Sequence, residues 1–143
     1  MTRKLGADGG ESVWKLLDEL SGIVKQVETS NDPAFGTTGQ KLRDALAATE
    51  RASKWLLERL AAAPNDALAG ATPYLRLFGS TLGGCMLAGE ALAAKGNGEA
   101  EPQRYVALAR FFAENIAVQA LGLERAVTEA ADSVNGTDAA LST

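Results

Sequence analysis

The sequence predicts an all-α protein, a four-helix up-down-up-down bundle, and three observations predict it. Four segments carry apolar residues at alternating spacings of four and three, the period of a helix face packed among other helices. The connections between them are short and rich in Gly, Pro, Asn and Asp, so successive helices have room only to turn back on one another. No segment alternates apolar and polar with period two over more than a few residues, so no sheet is predicted.

The first helix is expected from near Gly10 or Ser12 to about Thr29. Val13, Leu16, Leu17, Leu20, Ile23, Val24 and Val27 share one face, and Lys15, Asp18, Glu19, Lys25 and Glu28 take the other. Gly9 and Gly10 make a break before it, and Asp32-Pro33 with the glycines at 36 and 39 ends the periodicity after it. Phe35, in that turn, is expected to plug the end of the bundle. The second helix is predicted from about Gly39 to Ala62, with a seam of Leu42, Leu46, Thr49, Ser53, Leu56, Leu60 and Ala63. Glu50 and Lys54 are spaced to pair on its outer face. Hydroxyls at Thr49 and Ser53 let neighbours approach closely and can bond back to the carbonyl four residues earlier; a polar pocket is the sharper alternative. Pro64 stops this helix, Asn65 or Asp66 can cap a short continuation, and Pro73 predicts a kink or a fresh start capped by Thr72.

The third helix, YLRLFGSTLGGCMLAGEALAA from Tyr74 to Ala94, is the one the others are expected to bury. Its only charges are Arg76 and Glu90, and a helix that is apolar all round is normally covered on all sides. The predicted seam is Ala71, Leu75, Phe78, Leu82, Cys85, Gly89 and Leu92. Gly79, Gly83, Gly84 and Gly89 each cost about 1 kcal/mol of helix propensity, which makes sense where another backbone comes close. Gly96-Asn97-Gly98 ends this helix, and Pro102 begins the fourth, which is expected to continue to about Ser133 along Tyr105, Ala109, Phe112, Ile116, Gln119, Leu123, Ala126 and Ala130. Residues 135–143 are small and polar and are expected to fray as a flexible tail.

A chain of 143 residues suits one domain. Its net charge of -4 and the lack of any Lys/Arg block argue against nucleic acid or an anionic membrane as partner. The opening MTRKLGADGGES lacks the apolar stretch of a secretory leader, and Leu77 to Ala94 is too rich in glycine to make a good membrane span. With one cysteine there is no intrachain disulfide, and a cytoplasmic setting is expected.

Histidine is absent altogether. That removes a Glu-x-x-His di-iron bundle, a phosphorylated imidazole, His-ligated haem or zinc, and a Ser-His-Asp triad. The glycines of the third helix do not form a phosphate cradle between strand and helix. Cys85 reads as a small buried hydrophobe. Glu90, the one carboxylate in an apolar context, reads as a surface group rather than a general base. Arg76 and Arg110 could hold an anion, but pairing with Glu114 or a carboxylate of a neighbouring helix is preferred. No catalytic, cofactor-binding or metal-binding residue is assigned.

Three strings give the chain a family likeness: ALAGATPYLRLFGSTLGGCMLAGEALAA (Ala67 to Ala94), ARFFAENIAVQALGL (Ala109 to Leu123) and VTEAADSV (Val127 to Val134). Together they resemble the helical domain at the C-terminus of a subgroup of acyl-CoA dehydrogenases that includes the methylmercaptopropionyl-CoA dehydrogenases. RKLGADGG (Arg3 to Gly10) looks like the join between catalytic core and appendage, with residues 1–10 as that join and 11–134 as the bundle. Met1-Thr2 directly before it looks like the start of a truncated or separately encoded fragment. The resemblance implies a parent enzyme that binds FAD and removes hydrogens from the α and β carbons of an acyl-CoA. The base of such an enzyme would sit in a Y-E-G-T-like string, which this sequence does not have, and the flavin-binding and acyl-CoA-binding segments are missing with it. The implied partners are the parent's catalytic core and a second copy in a homodimer, with no cofactor in this chain. Two other readings stand beside it: a free-standing dimerisation or adaptor module, and a small-ligand sensor with a pocket among Trp55, Tyr74, Phe78 and Phe112.

Overall fold

In the computed structural model of the protein, residues 10–129 are described, Asp66 without its side chain. The predicted join and tail, and the end of the last helix near Ser133, lie outside the described residues. The elements are α1 (Glu11–Thr29), a 3₁₀ turn (Pro33–Phe35), α2 (Thr38–Ala62), the short α3 (Pro64–Ala69), α4 (Ala71–Gly96), α5 (Pro102–Asn115), a second 3₁₀ turn (Ala117–Gln119) and α6 (residues 120–129). There is no strand among the described residues, and the architecture is all-α.

The local chemistry explains most of the boundaries. Gly10 takes the left-handed backbone (φ 84°) that admits the chain into α1. Pro64 occupies the first position of α3, where its missing N–H is no loss, so it opens a new helix as well as closing α2. Ala63, not Asn65 or Asp66, stands at the cap of α3. Gly70, not Thr72, precedes α4, and Pro73 falls in the first turn, where it breaks no ladder bond. Gly98, at φ 68°, follows the Gly96–Asn97 stop as expected. Phe35 is buried, and Asp32 accepts a bond from Ala34 N at 2.9 Å that fixes its turn. Lys95 Nζ closes over the turn, 2.6 Å from Asp32 and 5.4 Å from the Phe35 ring centre.

Cross-helix pairs set the directions. Leu42 faces Gly84, Thr49 faces Thr81 and Ser53 faces Tyr74, so α2 and α4 are antiparallel. Gly39 meets Glu28 and Gly10 meets Leu57, which makes α1 antiparallel to α2. Thr37 meets Glu114 and Arg51 meets Glu124, so α5–α6 run parallel to α2. The α2/α4 pair is the centre: each packs on the other, and both also contact α1 and α5.

Two expectations are corrected. The fourth helix is not continuous from Pro102, because Ile116 and the 3₁₀ turn after it interrupt the ladder. Asn115 Nδ2 donates to the Phe111 carbonyl (2.9 Å) and Gln119 Nε2 to the Asn115 carbonyl (3.2 Å), local bonds that compete with helical pairing at this point. The third helix is not covered on all sides. Its buried stripe is Tyr74, Leu77, Phe78, Thr81, Gly84, Cys85, Ala88, Ala91 and Ala94, one residue away from much of the predicted seam, and Leu75 and Met86 stand out in solvent. Gly83 and Gly84 receive side chains rather than a backbone, and Gly79 meets nothing within 4 Å: a Cβ at Gly84 would lie 2.6 Å from Leu42 Cδ2, and one at Gly83 would lie 3.3 Å from Phe112. The close backbone approach is elsewhere, at Gly70, where a Cβ would stand 2.6 Å from the Val127 carbonyl oxygen.

Candidate interaction surface

The hydroxyls that the sequence left open as a pocket are spent inside the core. Thr49 Oγ1 donates to the Ala45 carbonyl at 2.8 Å and lies 2.7 Å from Thr81 Oγ1; Ser53 Oγ lies 2.7 Å from the Tyr74 hydroxyl. Among the described residues no buried side-chain nitrogen or oxygen lacks a partner. The back-bond expected at Thr49 forms, whereas Ser53 turns across to α4 instead. Tyr74 and Phe78 pack ring against ring at 5.9 Å within the core. Phe112 stands over Gly83 and Gly84, and Trp55 carries Arg59 over its ring at 5.5 Å. The four aromatics named for a ligand pocket are thus not gathered around one cavity: Tyr74 and Phe78 are buried, and Phe112 borders a groove that Trp55 does not line.

Of the charged candidates Arg76 departs from expectation: it is exposed and makes no ion pair among the described residues. Arg110 pairs with Glu114 at 3.0 Å, as preferred from sequence, and Glu114 also accepts from Thr37 Oγ1 at 2.9 Å. The Thr37 bond, with Arg110 behind it, holds the Glu114 carboxyl below its ordinary range. Asp32 is lowered too, chiefly by the bond from Lys95. Glu90 is exposed, as a surface group. The expected Glu50–Lys54 pair is not made; Arg51, beside them, reaches across to Glu124 with two bonds at 2.7 and 2.8 Å. Cys85 is fully buried and its thiol is pushed up to about 12 by burial, the reverse of a reactive cysteine. No group of three His, Cys, Asp or Glu among the described residues could hold a metal ion.

No described residue is assigned to hold a flavin. The surface carries open grooves, among them one of about 570 Å³ beside Gln103, Phe111 and Asn115 and one of about 420 Å³ between Leu75, Arg76, Gly79 and Ser80 on one side and Phe112, Gln119 and Leu123 on the other. The hydroxyls of Thr49, Thr81, Ser53 and Tyr74 are turned inward and paired with one another, while Ser80 lines the second groove. No chemical step is derived through such a group.

What remains is a surface that sequence reasoning missed. The predicted seam of the fourth helix placed Tyr105, Ile116, Gln119 and Ala126 inward, yet all four are exposed. The residues that pack inward are Val106, Ala109, Ala113, Ala117, Ala120 and Val127. Small side chains let α5 and α6 sit close on α2 and α4, and the large ones are turned out: Phe111 is 60 % exposed, Leu121 54 % and Leu108 51 %, with Val118 beside them. Leu68 of α3 and Leu75 and Met86 of α4 are also exposed, whereas no large apolar side chain of α1 or α2 is. The signal was present in the Val106-Ala109-Ala113-Ala117-Ala120 run, which keeps helical spacing but is outranked when faces are ranked by side-chain size. By length and composition alone Ala71–Gly96 and the interrupted stretch Pro102–Glu129 are apolar enough to cross a membrane; in the fold the first contributes its Tyr74–Ala94 stripe to the core, as a core helix does.

A family model described as acetyl-CoA dehydrogenase C-terminal like matches residues 16–138. Among curated proteins, the 3-methylmercaptopropionyl-CoA dehydrogenase of Ruegeria pomeroyi is 29% identical over 137 residues, covering 92% of this chain and 23% of that protein. The chain thus spans about a quarter of the length of that relative. No solved structure matches it.

Proposed function

Because the chain belongs to the acetyl-CoA dehydrogenase C-terminal-like family, we propose that it is the accessory helical domain of a larger FAD-dependent acyl-CoA dehydrogenase of the cytoplasm. Its role is to cover part of the catalytic core or a subunit interface, and not to carry out the chemistry. The observation that carries this reading is the family match across residues 16–138, set beside a relative four times longer in which this chain corresponds to 23% of the length. The geometry is compatible with it: Glu114 and Glu124 are held in ion pairs, the Ser53 and Tyr74 hydroxyls bond within the core, and the one thiol is buried. What the chain offers to its surroundings is an apolar face, and such faces mark interaction surfaces.

The same face supports a second reading, a free-standing module that pairs with its own copy. The two are separated by expressing the polypeptide encoded by the whole reading frame that holds this chain. The first reading expects bound flavin that bleaches on addition of an acyl-CoA, with residues 1–143 alone doing neither. A reading frame that ends at this chain, with a stable dimer in solution, would establish the second instead.

A further inference from the structure

We propose that the outer face of α5 and α6, centred on Phe111 and Leu121 and continued by the groove beside Arg76, seats on the catalytic portion of the same polypeptide. The surface it meets is apolar and bears carboxylates opposite Arg76 and Arg125. This rests on the reading of the chain as an accessory domain and adds which side of it docks.

Three observations bear on this side. The first is the lopsided distribution of apolar surface: every exposed large apolar side chain among the described residues belongs to α3, α4 or the chain from α5 to α6. The outer faces of α1 and α2 are instead charged with both signs, Asp18, Glu19 and Lys25 on one and Asp44, Lys54 and Glu58 on the other. A helix that packs inward through alanines and outward through Phe111 and Leu121 leaves its larger apolar area for something beyond this domain. The second is charge. Arg43, Arg51, Lys95, Arg104 and Arg110 are paired within the domain, and among the described residues Lys15, Lys25, Lys41 and Lys54 of α1 and α2 are not, so charge sets what this face would meet and not which face docks. Arg76 and Arg125 are exposed and make no ion pair among the described residues, and both border this face. Cations so placed favour an acidic partner surface and penalise a basic one. The third is the extent of the relative: three quarters of its length lies outside the region matched by this chain, enough protein to cover such a face.

The test is amide hydrogen exchange on the full polypeptide of the reading frame, compared with residues 1–143 alone. Exchange in α5 and α6 is expected to slow about tenfold or more in the full polypeptide, with the outer faces of α1 and α2 unchanged. The double variant Phe111→Lys/Leu121→Lys alters side chains that are more than half exposed, and should return α5–α6 exchange to that of the free chain. A Lys54→Glu control should leave the protection intact. Protection confined to α1 and α2 would overturn the choice of face while leaving the accessory-domain reading in place. A concentration-dependent dimer of the free chain that the double variant dissolves would assign the face to a second copy. Binding of phosphatidylglycerol vesicles lost in that variant would assign it to a membrane. A reading frame without a flavin-binding portion would remove the underlying reading itself.

Discussion

Replacing Gly70 by alanine should destabilise the protein through a single contact. Gly70 has φ -89° and ψ 0°, a conformation open to any residue, so the substitution carries no backbone strain. The cost is spatial. The new Cβ would sit 2.6 Å from the Val127 carbonyl oxygen, 3.4 Å from its carbonyl carbon and 3.3 Å from Cγ1, whereas carbon contacts settle at about 3.5–4.0 Å. Neither side yields easily. Gly70 N donates to Ala67 O at 3.2 Å and Gly70 O accepts from Tyr74 N at 3.0 Å, and Tyr74 is itself buried and bonded to Ser53. Overpacking of this kind costs about 1–3 kcal/mol, a fall of roughly 3–10 °C in melting temperature for a domain of this size. Gly22→Ala is the matched control. It lies within α1, where an added methyl would meet nothing inside 4 Å, and removing a mid-helix glycine should stabilise by about 0.5–1 kcal/mol. Thermal melts followed by circular dichroism decide the matter. If Gly70→Ala melts at or above the parent while Gly22→Ala rises as expected, the close approach of α6 to the α3–α4 corner is wrong.

Three further outcomes follow from the interior and the ion pairs. Tyr74→Phe leaves the buried Ser53 hydroxyl without its partner and should cost about 1–3 kcal/mol in urea unfolding; adding Ser53→Ala should recover part of the loss, and strict additivity would mean that the bond contributes nothing. Burial raises the Cys85 thiol from 9.0 to about 12 and also raises Tyr74. The folded state thus favours the neutral forms, so stability is complete below pH 9 and declines as pH rises toward 12, and Cys85→Ala should flatten that decline. On the acid side the folded state holds Asp32 and Glu114 below their ordinary 3.8 and 4.5. Their stabilisation is present above those values and is lost as pH falls through the lowered ones. Acid melts of Asp32→Asn/Glu114→Gln should therefore show a shallower loss than the parent, and an identical loss would remove these two groups from the account.

Much of the fold was legible in the sequence because its punctuation is chemical. Pro102 at a helix start, Gly96-Asn97-Gly98 at a helix end and Phe35 as a plug depend on local backbone preferences that survive any packing. Facing was harder to read. In α2 the predicted seam holds from Leu42 to Leu56, since large and small apolar residues lie on one side there. In the second half of α4 and in α5 they lie on different sides, and close helix packing selects the small ones: Ala88 and Ala91 over Met86, Ala109 and Ala113 over Leu108 and Phe111. The interruption at Ile116 was hidden for another reason, because Asn115 and Gln119 break the ladder through side-chain bonds that leave the apolar spacing intact. The family likeness was legible in the strings from Ala67 to Leu123, and the match across residues 16–138 agrees with it.

The proposed role requires that these helices cover chemistry that resides elsewhere in the polypeptide. Equilibrium titration of purified residues 1–143 with FAD, followed by anaerobic addition of an acyl-CoA thioester and observation of the visible flavin band, tests it most directly. No retained flavin and no bleaching are expected. Stoichiometric flavin that the thioester bleaches would contradict that role.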